Sequence, residues 1–259
     1  MAARIERALI TGASAGIGAA FARQLSERGV EVVLVARRAA RLEQLAAELP
    51  GDAEVLVADL AEPAGREQVR ARLHAEARPV DLLVNNAGLG SYGALADQDE
   101  ERIRSLLAVN VTALVELTRA ALPGLLAREA GGIINVGSTA GYVPGPYSAV
   151  YGATKAFVRS FTEAVSEELR GSPVHVLLLA PGVTETEFQE VAGVPDGVFP
   201  SSLAGTSEEV AAAGLAAFSA RRPVCVPAPA DRIMAYGAQV VPSAITRRLR
   251  ASVMRRVVS

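Results

Sequence analysis

The sequence predicts an α/β fold in which a doubly wound parallel sheet of about seven strands lies between two layers of helices. Three observations support this prediction. Short apolar runs of strand length alternate along the chain with segments of helical periodicity. Residues 32–35 are apolar at every position, as expected of a strand buried on both faces of a parallel sheet. The first apolar run ends in a glycine-rich turn that leads into a helix.

Composition and charge narrow the classes of function. The chain has 259 residues, 50% hydrophobic and 21% charged, which predicts one packed domain over residues 1–259. A net charge of −2 argues against nucleic acid as a partner. Cys225 is the single cysteine and the 2 histidines lie far from it, so we expect neither an internal disulfide nor a metal site. With no signal peptide and no apolar run of about eighteen residues, the chain is expected to be cytoplasmic.

The individual elements follow from local patterns. Apolar runs predict strands at residues 8–10, 31–36, 53–58, 80–84, 132–136, 174–180 and 223–226. Helical spacing predicts helices from the glycine-rich turn to Gly29 and at residues 41–49, 63–77, 100–128, 150–170 and 207–220. Pro63 suits a helix start, Pro123 should bend or interrupt the end of its helix, and Ser207 is the expected N-cap. Such a sheet binds its ligand beyond the carboxyl ends of the strands.

Two segments fall outside this alternation. Residues 182–206 are rich in glycine, proline and serine and predict a long loop that closes over the substrate. Residues 232–259 contain arginines but no acidic residue, and apolar residues recur every four positions, at Ile245, Leu249, Val253 and Val257. This pattern predicts a basic amphipathic helix. We expect it to pack on the domain or on a partner subunit, and an anionic membrane surface is the less favoured alternative.

The glycine-rich turn is a candidate phosphate site. Gly12, Gly16 and Gly18 lie between the first predicted strand and the first predicted helix. Glycine permits a tight turn there and lets the backbone approach a pyrophosphate, which the free N–H groups of the helix N-terminus then bind. The alternative is a glycine-rich turn without a ligand, but the strand–turn–helix context favours a nucleotide.

The end of the second predicted strand indicates which dinucleotide binds. NAD sites place an acidic residue there for the ribose 2′-hydroxyl, whereas this chain has Arg37 and Arg38. Guanidinium groups suit a 2′-phosphate, and an anionic ligand would offset their unfavourable position at a helix N-terminus. We therefore expect NADPH rather than NADH, with Arg37 as the main contact and Arg38 as the second. The alternative is a solvated basic helix start.

Tyr151 and Lys155 are the candidate proton-transfer pair. They are four residues apart in a predicted helix, so both side chains lie on one face. A nearby ammonium favours the phenolate, and we expect Lys155 to lower the pKa of Tyr151 towards working pH. An exposed Tyr–Lys pair without a function is the alternative, so the interpretation depends on the accompanying motifs.

Those motifs resemble the short-chain dehydrogenase/reductase family. They comprise Thr11-Gly12-x-x-x-Gly16-x-Gly18, Asp59-Leu60, Asn85-Asn86-Ala87-Gly88, Asn110, Ser138, Tyr151-x-x-x-Lys155 and Pro181-Gly182-x-x-x-Thr186. Their order and spacing are those of the family, and they cover roughly residues 5 to 190. The resemblance implies a Rossmann-like domain, and the arginines resemble the NADP(H)-using members.

The resemblance also implies roles for the site residues. Tyr151 would be the general acid in reduction and the base in oxidation, and Ser138 would bind the substrate carbonyl. Lys155 would hold the nicotinamide ribose and lower the Tyr151 pKa, and Asn110 would hold a water molecule in a proton relay. Cofactor contacts would come from Ser14, Ala15 and Ile17 beside the three glycines, Asp59 and Leu60 at the adenine, Asn86, Ala87 and Gly88 along the cofactor, and Pro181, Gly182, Val183, Thr184 and Thr186 at the nicotinamide. The alternatives are a turn-capping Ser138, a structural Asn110 and an ordinary loop acid at Asp59.

The predicted substrate pocket is mostly apolar. Beside Ser138, its candidate residues are Leu89, Gly90, Tyr92, Tyr142, Val143, Pro144, Tyr147, Val183, Phe188 and Phe199. Because this set carries a few hydroxyls and no cluster of charges, we expect a hydrophobic ketone or aldehyde as the small-molecule substrate.

The leading hypothesis is therefore an NADPH-dependent carbonyl reductase. A non-catalytic NADP(H)-binding sensor or scaffold on the same fold is the second, but such a protein has no need of a proton donor. A sugar-nucleotide epimerase shares the Tyr–Lys motif, but this chain is too short for its larger substrate domain. The resemblance implies a homodimer or homotetramer built on helices 100–128 and 150–170.

Overall fold

A parallel sheet forms the centre of the molecule. The computed structural model describes residues 5–194, 204–241 and 251. Within them, seven strands form one sheet in the order β3-β2-β1-β4-β5-β6-β7, and every neighbouring pair is parallel. The strands are β1 (Arg7–Thr11), β2 (Glu31–Ala36), β3 (Ala53–Val57), β4 (Leu82–Asn85), β5 (Gly132–Val136), β6 (His175–Leu179) and β7 (Val224–Cys225). The strand order reverses between β1 and β4, which opens a crevice at their carboxyl ends.

Helices cover both faces of the sheet, as predicted. They are α1 (Gly16–Ser26), α2 (Ala39–Glu48), α3 (Pro63–Leu73), α4 (Glu100–Leu107), α5 (Leu114–Ala127), α6 (Ala149–Glu168), α7 (Phe188–Val191), α8 (Ser207–Ser219) and α9 (Pro229–Val240). Phe21 of α1, Leu42 of α2 and Leu215 of α8 pack in the cluster on one face. Val69 of α3 and Leu117 of α5 belong to the cluster on the other. The predicted three-layer arrangement is confirmed.

The long helix predicted at residues 100–128 is interrupted. A π-helical segment, Ala108–Ala113, separates α4 from α5. By contrast, α5 continues through Pro123 to Ala127, so the expectation that Pro123 interrupts the helix is wrong. The irregularity lies instead at Asn110, whose side chain bonds to a loop outside the helix.

Thr206, and not Ser207, caps α8. Thr206 Oγ1 accepts a hydrogen bond from Glu209 N at 3.1 Å, and the Glu209 carboxylate accepts one from Thr206 N at 3.0 Å. This reciprocal pair is a capping box. The hydroxyl of Ser207 is used elsewhere, since it donates to the carbonyl of Glu185 at 3.4 Å.

Part of the predicted loop at residues 182–206 has regular secondary structure. It contains the short helix α7, and a parallel bridge joins Thr184 to Gly205. Residues 195–203, including Phe199, lie outside the described residues.

The helix predicted over residues 232–259 is not continuous, because α9 begins at Pro229 and ends at Val240, and the backbone at Val241 is extended. Helix α9 packs on the domain through Ala235, which is 1% exposed, and through the ring of Tyr236, 6.0 Å from that of Tyr142. Ile245, Leu249, Val253 and Val257, which carry the predicted amphipathic pattern, lie outside the described residues.

One helical stretch is apolar enough to span a membrane by length and composition. Over residues 100–127 the mean hydropathy reaches 1.4 in an 18-residue window, so the absence of such a stretch expected from the sequence is corrected. In the structure 50% of that window is buried, and α5 packs against the sheet and α3. Core helices of globular proteins share this composition.

Candidate active site

A cavity of about 590 Å³ lies at the carboxyl ends of the strands. It brings together most of the residues predicted from the sequence. Those lining it are Gly12, Ser14, Ala15, Gly16, Ile17, Arg37, Arg38, Asp59, Leu60, Asn86, Ala87, Gly88, Leu89, Gly90, Tyr92, Ser138, Tyr151, Lys155, Pro181, Gly182, Val183, Thr184, Thr186 and Phe188.

The glycine loop forms one end of the cavity. Gly12 and Gly16 have backbone φ angles of +68° and +56°, which residues other than glycine rarely adopt. A Cβ on Gly12 would lie 2.9 Å from the Cα of Ala87, and one on Gly18 would collide with the Gly12 carbonyl oxygen. Gly18 does not line the cavity, so its predicted role as a cofactor contact is corrected to packing α1 against the turn.

Thr11, the last residue of β1, fixes the neighbouring wall. Its hydroxyl oxygen accepts hydrogen bonds from the backbone N–H groups of Asn86 and Ala87, both at 3.0 Å, and donates to Val84 O at 3.3 Å. The amide of Asn86 donates to Thr11 O at 2.9 Å. The chain that leaves β4 is therefore held against the glycine loop.

The arginines after β2 lie at the glycine-loop end, but not as predicted in detail. Arg38 donates to Ser14 Oγ at 3.1 and 3.3 Å and contacts Glu187 at 2.8 Å. Arg41, which sequence reasoning did not propose as a contact, reaches the other oxygen of Glu187 at 2.5 Å. Arg37 lies 3.6 Å from Asp59 instead. Arg38 is therefore the arginine that touches the glycine loop.

Ser138 and Tyr151 meet at the opposite end of the cavity. Ser138 follows β5, where its Oγ accepts a hydrogen bond from Ala140 N at 3.1 Å, and its side chain lies within hydrogen-bonding reach of the Tyr151 hydroxyl. Burial raises the pKa of Tyr151, and the hydrogen bond with Ser138 opposes that rise. The ring of Phe188 lies 5.3 Å from that of Tyr151 and helps to shield it.

Lys155 is buried behind the phenol. Its Nζ donates to Val136 O at 2.8 Å and lies 5.9 Å from the centre of the Tyr151 ring. Burial lowers the pKa of Lys155 to about 8. The predicted lowering of the Tyr151 pKa by Lys155 is therefore corrected. Burial dominates and raises that pKa, and Ser138 is the group that acts against it.

Asn110 bonds to the loop after β4. Its Oδ1 accepts from Leu89 N at 2.8 Å, and its Nδ2 donates to Leu89 O at 2.9 Å and to Thr154 Oγ1 at 3.0 Å. A Cβ on Gly88 would lie 3.6 Å from both Asn110 Oδ1 and Lys155 Nζ. The amide thus ties the cavity wall to α6 beside the buried lysine.

Two predicted pocket tyrosines do not line the cavity. Tyr142 packs in a buried cluster with Val158 and Ala235, and the guanidinium of Arg159 lies 4.1 Å from its ring centre. Its ring faces α9, so the predicted substrate contact is wrong. Tyr147 has a φ of +63° and uses its carbonyl to accept from Gly93 N at 2.8 Å. Val143 and Pro144 also lie outside the lining.

The C-terminal helix adds two residues that sequence reasoning missed. Asp231 and Met234 of α9 both line the cavity. The carboxylate of Asp231 lies against Gly182 and accepts a hydrogen bond from its backbone N–H. Burial raises the pKa of Asp231, and that hydrogen bond opposes the rise. No sequence motif links Gly182 to Asp231, which lie 49 residues apart.

These features fit a dinucleotide with respect to shape and charge. The glycines leave a cradle that a Cβ would fill, α1 begins at Gly16, and Arg38 donates a hydrogen bond to Ser14. The model for short-chain dehydrogenases matches residues 6–194.

The chain belongs to the short-chain dehydrogenase family.

Named relatives of the family are similar over most of the chain. The NADP-dependent 3-hydroxy acid dehydrogenase YdfG of Shigella flexneri is 39% identical over 212 residues, covering 79% of this chain and 86% of that protein. A short-chain dehydrogenase from Sphingobium yanoikuyae, solved with NADPH, is 36% identical with a TM-score of 0.81 and covers 96% of this chain and 93% of its own. The bulky-bulky ketone specific alcohol dehydrogenase from Comamonas testosteroni is 29% identical, with a TM-score of 0.76 and the same coverage.

The match to the short-chain dehydrogenase model ends before the C-terminal part of the cavity. It includes the glycine loop and the Ser138, Tyr151 and Lys155 cluster, but it stops at residue 194. Asp231 and Met234 lie beyond that limit. The family match thus covers the residues predicted to carry the chemistry, but it does not cover the part of the cavity wall that Asp231 and Met234 form.

Proposed function

We propose that the protein is an NADP(H)-dependent oxidoreductase that interconverts a ketone or aldehyde and its alcohol. The observation that carries the proposal is that Ser138, Tyr151 and Lys155 line one end of a cavity whose other end is a glycine cradle. The Sphingobium yanoikuyae and Shigella flexneri relatives, whose names include NADPH or NADP, support the choice of cofactor.

Ser138 and Tyr151 act on the substrate oxygen. The bound nicotinamide supplies the hydride in reduction and accepts it in oxidation. The carbonyl oxygen accepts hydrogen bonds from Ser138 Oγ and Tyr151 Oη, which stabilise the charge that develops there. The phenolic proton then moves to that oxygen. Because burial keeps the pKa of Tyr151 high, the phenol is protonated and ready to donate at neutral pH.

Lys155 and Asn110 support this proton transfer. With a pKa of about 8, Lys155 carries its charge at neutral pH, and its Nζ lies 5.9 Å from the centre of the Tyr151 ring. We propose that Lys155 also holds the nicotinamide ribose. Asn110 does not line the cavity itself, but it lies behind Gly88, which does, and we propose that it holds the water molecule that returns a proton towards Tyr151.

The arginines favour the phosphorylated cofactor. Arg38 lies beside Ser14 of the glycine loop, and Arg41 lies within reach of the same carboxylate, Glu187. Two guanidinium groups with their forked donors provide the charge and geometry that a 2′-phosphate needs.

The substrate end favours a neutral, hydrophobic compound. Leu89, Tyr92, Val183 and Phe188 provide mostly apolar surface, and Asp231 adds negative rather than positive charge. A carboxylate substrate would be repelled there, so we propose a hydrophobic ketone or aldehyde. The Comamonas testosteroni enzyme, named for bulky ketones, supports this class of substrate.

We also propose that the protein is a homodimer or homotetramer. Leu107 of α4, Leu126 of α5 and Phe157 of α6 are 44%, 43% and 39% exposed, although they are large and apolar. Such residues on helices of one layer favour burial against a second copy of the chain.

Replacement of Tyr151 by phenylalanine tests the catalytic proposal. We expect Tyr151→Phe to lower turnover of a model ketone by about 10²- to 10⁴-fold, because the proton donor is lost while the ring stays. NADPH affinity, measured by fluorescence titration, should change little. Tyr147→Phe is the matched control, since that ring does not line the cavity. If Tyr151→Phe retained full turnover, Tyr151 would not be the proton donor. A wild type that bound NADPH but reduced no ketone or aldehyde would instead favour the cofactor-binding sensor.

A further inference from the structure

Glu187 neutralises Arg38, which lines the cofactor end of the cavity, and Arg41, which does not line it. One carboxylate oxygen lies 2.8 Å from Arg38 Nη1, and the other lies 2.5 Å from Arg41 Nη1. The hydrogen bonds from Arg38 and Arg41 lower the pKa of Glu187, so it is ionised at neutral pH. All three side chains are between 42% and 45% exposed, so an anion from solvent can reach them.

Glu187 belongs to a segment that touches both ends of the cavity. The preceding residue, Thr186, packs on the glycine loop, since a Cβ on Gly16 would lie 2.9 Å from its Cγ2. The ring of the following residue, Phe188, lies 5.3 Å from the Tyr151 ring and is tilted by 50° to it. The ion pairs with Arg38 and Arg41 therefore tie the start of α7 to α2.

We propose that Glu187 is a cofactor-selectivity residue that competes with the 2′-phosphate of NADP(H) for Arg38 and Arg41. This inference rests on the proposed function. A phosphate dianion and a carboxylate repel each other, so both cannot occupy the same guanidinium pair at low cost. Entry of the 2′-phosphate displaces Glu187 and releases the tie between α7 and α2. A cofactor without that phosphate displaces nothing.

The probes are 2′,5′-ADP, which carries the 2′-phosphate, and 5′-AMP, which lacks it. Affinities are measured by titration calorimetry for the wild type, Glu187→Gln and the control Glu190→Gln. Glu190 is exposed on α7, forms neither of these ion pairs and does not line the cavity. We expect Glu187→Gln to bind 2′,5′-ADP about three- to tenfold more tightly, since two exposed ion pairs no longer compete. Its 5′-AMP affinity and both affinities of Glu190→Gln should match the wild type.

A second measurement follows the released segment. In the wild type, 2′,5′-ADP should increase hydrogen exchange of the backbone amides at residues 187–191, and 5′-AMP should not. In Glu187→Gln, exchange there should already be high and should not respond to 2′,5′-ADP.

The outcomes separate the inference from the proposed function. Unchanged or weaker binding of 2′,5′-ADP by Glu187→Gln would overturn the competition while leaving the NADP(H) assignment in place. A wild-type protein that bound 2′,5′-ADP no better than 5′-AMP would overturn the choice of cofactor and, with it, this inference.

Discussion

Lys155 illustrates how a single residue serves the proposed reaction at a cost in stability. It is 5% exposed, and its one protein hydrogen bond in the described structure runs to Val136 O. Burial lowers its pKa from 10.5 to about 8, because the ammonium loses solvation that the protein only partly replaces. The folded state therefore binds this proton less tightly than the unfolded state does.

We expect Lys155→Met to raise stability and abolish turnover. Below pH 8 both states carry the charge and the folded state bears the full penalty, which fades as pH rises from about 8 to 10.5. After allowance for the orphaned Val136 carbonyl, the gain at neutral pH should be about 1–2 kcal/mol. Urea unfolding at neutral pH and near pH 10 measures it. A variant less stable than the wild type at neutral pH would contradict the buried-charge account.

At the scale of elements, the π-helical segment Ala108–Ala113 connects a helix to the cavity wall. Asn110 is 2% exposed and satisfies both backbone groups of Leu89 as well as Thr154 of α6. One amide therefore holds three elements of the site in register: the loop after β4, the interrupted helix and α6.

Removal of that amide should loosen the wall. Asn110→Ala leaves the N–H and C=O of Leu89 without partners, so we expect a loss of about 1–3 kcal/mol in unfolding free energy and a fall in kcat. Asn110→Asp keeps an acceptor for Leu89 N but no donor. Its unfolding free energy and kcat should lie between those of the wild type and those of Asn110→Ala. Denaturant unfolding and steady-state kinetics provide the measurements. Equal effects of the two substitutions would show that the hydrogen bonds to Leu89 do not matter.

Local patterns predicted most elements because their causes are local. An apolar run such as residues 32–35 specifies a buried strand, and the glycines before α1 specify the turn. The π-helical segment was missed because its partner, Leu89, is 21 residues from Asn110, while the apolar spacing of residues 100–128 continues unbroken. Thr206 and Ser207 are both acceptable caps in isolation, and only the contact of Ser207 with Glu185 separates them.

At the scale of the whole molecule, the missed site residues share one cause. Glu187 meets Arg38 across 149 positions, and Asp231 meets Gly182 only because α9 packs over the end of β6. Tyr142 was assigned to the pocket, yet α9 covers its ring. The order of the motifs predicted the cavity and its glycine loop, whereas pairings between distant segments became visible only in three dimensions.

Assembly is the property of the whole molecule that is most readily tested. We expect light scattering to give at least twice the 26.9 kDa of one chain, because Leu107, Leu126 and Phe157 would otherwise expose apolar surface. Phe157→Asp should lower the measured mass. Val57→Asp, which alters a 46% exposed residue on the edge strand β3, is the control and should not. A wild-type mass of one chain would contradict the proposed assembly.

The position of α9 suggests how new activities arise on this scaffold. The proposed catalytic cluster lies within residues 6–194, whereas Asp231 and Met234 come from a helix outside that range. Mutations in this one peripheral helix can therefore change which molecules fit while sparing the proposed proton donor and the glycine cradle. For directed evolution, a small library at these two positions is a sensible starting point for broadening the range of ketones accepted.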